Sequence, residues 1–218
     1  MLTLYAASAA PLEEKRLYER AYGFASPARR AKADAYLYAE DKTMSLAAEV
    51  LLRRGLRDAG TADVELTYGE YGKPYLAGGG TFFSLAHSGG WALCTVADRE
   101  VGCDVELMRP VGLKVAERFF DPAEFAEISA SPDPLTLFFR CWTIKESYMK
   151  ATGLGMNLLP GDFRIVFSPE IRVEPPPEGR SFGFREFTDI PGCAAALCAE
   201  GGCGDAELRI IDLAEELE

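Results

Sequence analysis

The feature that most constrains this chain is the run TLFFRCWTIKESYMKATGLGM, residues 136–156, in which no Gly or Pro appears before Gly153. Phe138, Phe139, Cys141, Trp142, Ile144, Tyr148 and Met149 recur at helical spacing, which predicts an amphipathic helix stopped at Gly153 and Gly155. Glu146 and Lys150 lie four apart, one turn beyond Trp142, so a carboxylate and an ammonium share one face. Taken alone, such a pair is a surface ion pair that contributes a few tenths of a kcal/mol.

A second set of charges stands upstream. Residues 82–86, 91–97 and 101–107 read as three short strands joined by His-Ser-Gly-Gly and Asp-Arg-Glu turns. In the third, Asp104 and Glu106 are one residue apart, so both carboxylates leave one face while Cys103, Val105 and Leu107 take the other. Carboxylates that converge repel unless a cation lies between them, and hard oxygens suit Mg²⁺. An acidic strand edge that discourages aggregation explains the same pair, so D-x-E leaves both readings open. His87 is the one histidine and falls in the first turn. Without a second histidine the chain lacks a His-based zinc site, and binding an anion as imidazolium is a fitting role.

Positive charge gathers earlier. Residues 2–7 read as a strand and 12–22 as a helix, and Ser26-Pro27 then caps a stretch that runs to Gly55 as two helices. Arg53, Arg54 and Arg57 suit a solvated face, whereas Arg29, Arg30 and Lys32 at a helix start are anion candidates. A strand at 64–68 leads to Lys73, held between Gly72 and Pro74, before the turn Gly78-Gly79-Gly80.

Beyond Pro110, residues 111–120 and 121–129 look helical, and a loop at 131–134 enters the long helix. Strands are expected near 163–167, 171–174, 181–187, 192–199 and 206–213, with turns at 175–177 and Gly201-Gly202. Both halves, 1–108 and 109–218, thus run helices first and antiparallel strands after, an α+β pattern without a residue-level repeat.

With 218 residues, 48% of them hydrophobic, the chain can bury a substantial core. No apolar run approaches the roughly 18 residues of a membrane helix, and residues 2–10 follow no basic segment, so a cytoplasmic protein without a membrane partner is expected. A net charge of −11 argues against wholesale nucleic-acid binding but not against a local phosphate site. The six cysteines lie in apolar contexts outside C-x-x-C pairs, which indicates neither a disulfide framework nor a zinc site.

In order and spacing these pieces resemble the 4′-phosphopantetheinyl transferases of the monomeric, surfactin-synthetase-activating type. The resemblance rests on Ser26-Pro27 with its basic cluster, Gly72-Lys73-Pro74, residues 83–89 (FSLAHSG), residues 101–106 (VGCDVE), and residues 142–147 (WTIKES) with Lys150 and Gly153. It implies an α+β fold of two similar halves, each with helices on a small antiparallel sheet, related by pseudo-twofold symmetry around a cleft. It implies transfer of the phosphopantetheine arm of coenzyme A to a serine of an acyl or peptidyl carrier protein, with release of 3′,5′-adenosine bisphosphate.

By the same resemblance Asp104, Glu106 and Glu146 would hold Mg²⁺ or Mn²⁺. Lys150 would assist the leaving group, and Glu146, directly or through a water, would accept the serine proton. Arg29, Lys32, Lys73, Ser84 and His87 would line the coenzyme A site. Ala86 stands where many members have Ser, and Met44 where relatives often carry a basic residue, a loss Lys42 could make good. Because the chain is acidic like its expected partner, docking is expected to rely on apolar contact around Phe119, Phe120 and Phe125. Two other functions use the same residues: a metal-dependent phosphodiesterase or nuclease, and a non-catalytic coenzyme A-binding domain.

Overall fold

The computed structural model describes residues 1–61, 65–176 and 179–218. The chain opens with β1 (Leu2–Ser8), a 3₁₀ turn at Ala10–Glu13, and helices α1 (Lys15–Phe24), α2 (Pro27–Ala35) and α3 (Ala39–Asp58). Strands β2 (Leu66–Tyr68), β3 (Pro74–Leu76), β4 (Phe82–Ser88), β5 (Trp91–Ala97) and β6 (Val101–Leu107) follow. Next come α4 (Lys114–Phe119), α5 (Pro122–Ala130) and α6 (Pro134–Thr152), then β7 (Arg164–Val166), β8 (Arg172–Glu174), β9 (Phe182–Phe187), β10 (Cys193–Glu200), β11 (Glu207–Ile210) and α7 (Leu213–Glu216). The mixed α+β class expected from the sequence is what the chain adopts.

Local chemistry sets the boundaries. Ser26 accepts the N–H of Arg29 at 3.2 Å to cap α2, and Asp121 and Asp133 cap α5 and α6 in the same way, each followed by proline in the first turn. Gly153 ends α6 at φ +72, a left-handed position that glycine adopts without Cβ strain. Two expectations shift. The helix expected at 12–22 is divided, because Glu14 is extended between the 3₁₀ turn and α1. His87 lies within β4 rather than in a turn, since Gly89 and Gly90 both take positive φ and close a two-residue hairpin in which His87 pairs with Ala92. Val64 of the expected strand and Pro177 of the expected turn lie outside the described residues.

Two main sheets carry the fold. One has the order β11-β1-β5-β4, with β11 parallel to β1 and the other pairs antiparallel; the second is antiparallel β6-β10-β9. The chain therefore crosses over: β6 joins strands from the C-terminal part, while β11 returns to β1. Where the sheets meet, two serines of β4 reach across, Ser84 Oγ accepting the Cys103 N–H and Ser88 Oγ the Leu107 N–H, each at 3.2 Å. Helix α3 buries its stretch from Met44 to Leu52 in the cluster holding Tyr5, Cys94 and Val96 of the first sheet, and α6 buries Ile144, Tyr148 and Ala151 with Ala196 and Cys198 of the second. All six cysteines are free and buried. Among the described residues no helix is long and apolar enough to cross a membrane.

Candidate active site

The site begins with a glycine. A Cβ built on Gly102 would stand 2.0 Å from the Ser147 carbonyl oxygen and 2.5 Å from the Ala151 nitrogen, so β6 and α6 are in backbone contact at this point. Only a residue without a side chain permits that approach, and it sets Asp104 and Glu106 of β6 facing Glu146 and Lys150 of α6. Gly102→Ala is expected to force the two elements apart at about 1–3 kcal/mol. Thermal unfolding checks this, and an unchanged melting temperature would show that the seam gives way without cost.

Beside this seam lies a cleft of about 740 Å³. Its walls hold every site residue expected from the sequence: Arg29, Lys32, Lys73, Ser84, His87, Asp104, Glu106, Glu146 and Lys150. Trp142, Met149, Tyr71 and Met156 add apolar wall. The remaining members of the sequence clusters go elsewhere. Arg30 lies over the Tyr22 ring, Met44 is buried in the core, and Lys42 lines a separate cleft with Trp91.

The acidic end is strongly coupled. Asp104 is buried, its Oδ1 2.7 Å from Lys150 Nζ, and that ammonium also donates to the Cys103 carbonyl at 3.2 Å. Burial pushes the Asp104 carboxyl up to about 7; Lys150 opposes the rise, and Glu106 and Glu146 add to it. Burial disfavours the Lys150 ammonium in turn, but Asp104, Cys103 and Glu146 together more than offset this and leave its pKa raised. Glu106 accepts from Ser88 Oγ at 2.8 Å.

The donor set fits a hard divalent cation. Asp104 Oδ2 is buried without a hydrogen-bond partner, an acceptor that Lys150 does not satisfy, and Glu106 and Glu146 add carboxylate oxygens to the same wall. The cage is not closed, however: among the described residues no three His, Cys, Asp or Glu side chains already surround one point. That openness agrees with an ion that takes few protein ligands and completes its shell with water and phosphate.

The basic end is braced from behind. Arg29 donates from Nε to Glu49 Oε2 at 3.2 Å and from Nη1 to Ser45 at 3.3 Å. Lys32 has no ion pair among the described residues, and burial, then Arg29, lowers its pKa. Burial and the Lys32 ammonium likewise pull His87 below its ordinary value, so the expected imidazolium is disfavoured here; an anion beside it would act in the opposite sense. Lys73 is spent on the protein: its Nζ meets Glu100 at 2.5 Å and the Val101 and Ala151 carbonyls at 3.1 Å each. Its ammonium thus ties β3 to β6 and the end of α6. The Ser84 hydroxyl accepts the Cys103 N–H, which occupies its acceptor side and not its proton.

Sequence reasoning passed over two residues that support this wall. Glu49 is 1% exposed and also accepts the Ser26 N–H at 3.2 Å; its signal is a carboxylate in the otherwise apolar run of α3. Lys145, beside Glu146, points the other way, into a buried ion pair with Glu124 at 2.8 Å.

Comparison with known proteins adds a name to this geometry. Residues 100–197 match the sequence profile of the 4′-phosphopantetheinyl transferase superfamily, a span that includes Asp104, Glu106, Glu146 and Lys150. The 4′-phosphopantetheinyl transferase Sfp of Bacillus subtilis (strain 168) is 29% identical over 189 residues, 83% of this chain and 84% of the relative. Another 4′-phosphopantetheinyl transferase of Bacillus subtilis is 33% identical over the same shares. The transferase HetI of Nostoc sp. is 32% identical over 185 residues, 78% of this chain and 76% of its own.

Proposed function

The chain belongs to the 4′-phosphopantetheinyl transferase superfamily, of the type that includes Sfp, and from that premise we propose how its cleft transfers the phosphopantetheine arm of coenzyme A to a carrier-protein serine. The observation that carries the reading is the seam itself: Asp104 and Glu106 on β6 face Glu146 and Lys150 on α6, beside a buried carboxylate oxygen that lacks a donor.

In this reading coenzyme A lies along the cleft, its 3′-phosphate toward Arg29, Lys32 and His87 and its pyrophosphate toward the acidic seam. Asp104, Glu106 and Glu146 would hold Mg²⁺ or Mn²⁺, which offsets negative charge on the pyrophosphate. The serine oxygen attacks the phosphorus that bears pantetheine, and the P–O bond to 3′,5′-adenosine bisphosphate breaks. Glu146 takes the serine proton, and the Lys150 ammonium neutralises charge gathering on the departing phosphate. Lys73 shapes the wall by fixing β6, so its contribution to the nucleotide runs through the backbone, whereas Ser84 accepts the Cys103 N–H and keeps its hydroxyl proton to donate.

All four seam residues come from one chain, which supports action as a monomer; the carboxylates of the first half and the Glu-Lys pair of the second act together. A cytoplasmic site of action fits the same reading. Docking of the acidic carrier would use apolar contact at Phe119, 45% exposed, with Met156 and Leu159 on the adjoining segment. Phe120, expected to share that role, is buried and stacks on Phe138 and Trp142.

The test is intact-mass measurement of an apo carrier protein after incubation with the enzyme, coenzyme A and Mg²⁺. The expected result is gain of one phosphopantetheine arm, abolished by a chelator. Cleavage of a nucleic acid or small diester without a carrier would favour phosphodiesterase chemistry, and coenzyme A binding with no transfer would leave a binding domain.

A further inference from the structure

Asp104 and Glu106 are held by different means. Asp104 is clamped by the Lys150 ammonium, whereas Glu106, half-buried near the end of β6, has one hydrogen-bond donor among the described residues, the Ser88 hydroxyl at 2.8 Å. That hydroxyl also accepts the Leu107 N–H at 3.2 Å. A serine has one proton to give, so with the amide occupying its acceptor side the proton is directed to Glu106 Oε2. The other carboxylate oxygen has no donor among the described residues.

The position of Ser88 is itself fixed. It closes β4 opposite Trp91, immediately before the Gly89-Gly90 turn. A Cβ on Gly89 would stand 2.6 Å from Leu107 Cβ, so the turn is pressed against the end of β6. The two hydrogen bonds and this contact seat one hydroxyl at a set place beside one acidic side chain.

We propose that Ser88 is a positioning residue for the metal site: its hydroxyl fixes the Glu106 carboxylate so that its free oxygen joins Asp104 in receiving the divalent cation. The inference rests on the reading of Glu106 as a metal ligand. Groups that orient ligating carboxylates typically change metal affinity by about 10–100-fold when removed. The structural cost of losing the hydroxyl is small, because Leu107 is exposed and water can take up its N–H.

The experiment measures Mn²⁺ binding by electron paramagnetic resonance of the free ion, with coenzyme A present and no carrier. Ser88→Ala is expected to weaken Mn²⁺ by about 10–100-fold, without lowering the melting temperature and without changing coenzyme A binding in the absence of metal. Ser88→Thr, which keeps the hydroxyl, is expected to restore affinity. If Glu106→Gln weakens Mn²⁺ while Ser88→Ala does not, the positioning role is wrong and the ligand assignment stands. If Ser88→Ala lowers the melting temperature and Ser88→Thr fails to restore affinity, the serine is structural only. If Glu106→Gln leaves Mn²⁺ binding intact, the ligand assignment fails and the inference with it.

Discussion

Lys145→Met is expected to destabilise the fold by about 3–5 kcal/mol, the usual result of leaving one member of a buried ion pair alone. Lys145 and Glu124 are 1% and 2% exposed at the side chain and meet at 2.8 Å. The ammonium also donates to the Pro160 and Phe163 carbonyls, lies 4.3 Å from the Phe163 ring centre and 5.0 Å from that of Phe120, and so ties α6 to the segment entering β7. Glu124 Oε1 accepts the Ile165 N–H at 2.8 Å, which fastens α5 to β7. Burial is the leading cause of the shift in both partners, lowering Lys145 and raising Glu124, so desolvation outweighs mutual attraction. The pair is therefore costly to break but replaceable. The double variant Glu124→Gln with Lys145→Met removes the unpaired charge and keeps a side-chain acceptor for the Ile165 N–H, and is expected to recover part of the loss. Thermal unfolding should fall by roughly 6–20 °C in the single variant, at about 2–4 °C per kcal/mol for a chain of this size. Equal melting temperatures for single and double variants would show that the unpaired carboxylate is not what destabilises the single variant.

The second large effect is on the chemistry. Lys150→Met should slow transfer by about 10²–10³-fold at saturating coenzyme A, the range seen when one preorganised electrostatic donor is removed. Lys150 is the cation of the seam, against Asp104 and beside Glu146, and methionine keeps its length while removing the charge. Because its side chain is 31% exposed, the fold should tolerate the change better than that of Lys145. Lys150→Arg keeps the charge but spreads it over a planar fork, and should recover only part of the rate. A Lys150→Met enzyme with the wild-type turnover would assign Lys150 to holding Asp104 alone.

Sequence pattern reached the long helix, the strands and the acidic pair because each is local. Helical spacing marks α6, alternation places Asp104 and Glu106 on one face, and proline and glycine punctuate the ends. What a one-dimensional pattern lacked was partnership. Nothing in the sequence sets Glu124 opposite Lys145 rather than in water, or spends Lys73 on Glu100 and two carbonyls instead of a phosphate. Those choices depend on which helix covers which strand. His87 was misplaced for a smaller reason: Gly89-Gly90 can close a hairpin by itself, so the strand runs two residues further than a four-residue turn allows. Gly102 was legible only as part of a motif, and its reason, contact with the α6 backbone, exists only in three dimensions.

In the proposed reaction, transfer takes place at the β6–α6 seam with Glu146 as its base. The most direct measurement is the initial rate of carrier modification, followed by intact mass, for wild type and Glu146→Gln at saturating coenzyme A and Mg²⁺, with coenzyme A binding measured alongside. The expected result is a loss of at least about 10²-fold in rate for the variant, as for removal of a general base, with coenzyme A still bound through Arg29 and Lys32. Transfer by Glu146→Gln at the wild-type rate would rule Glu146 out as the base.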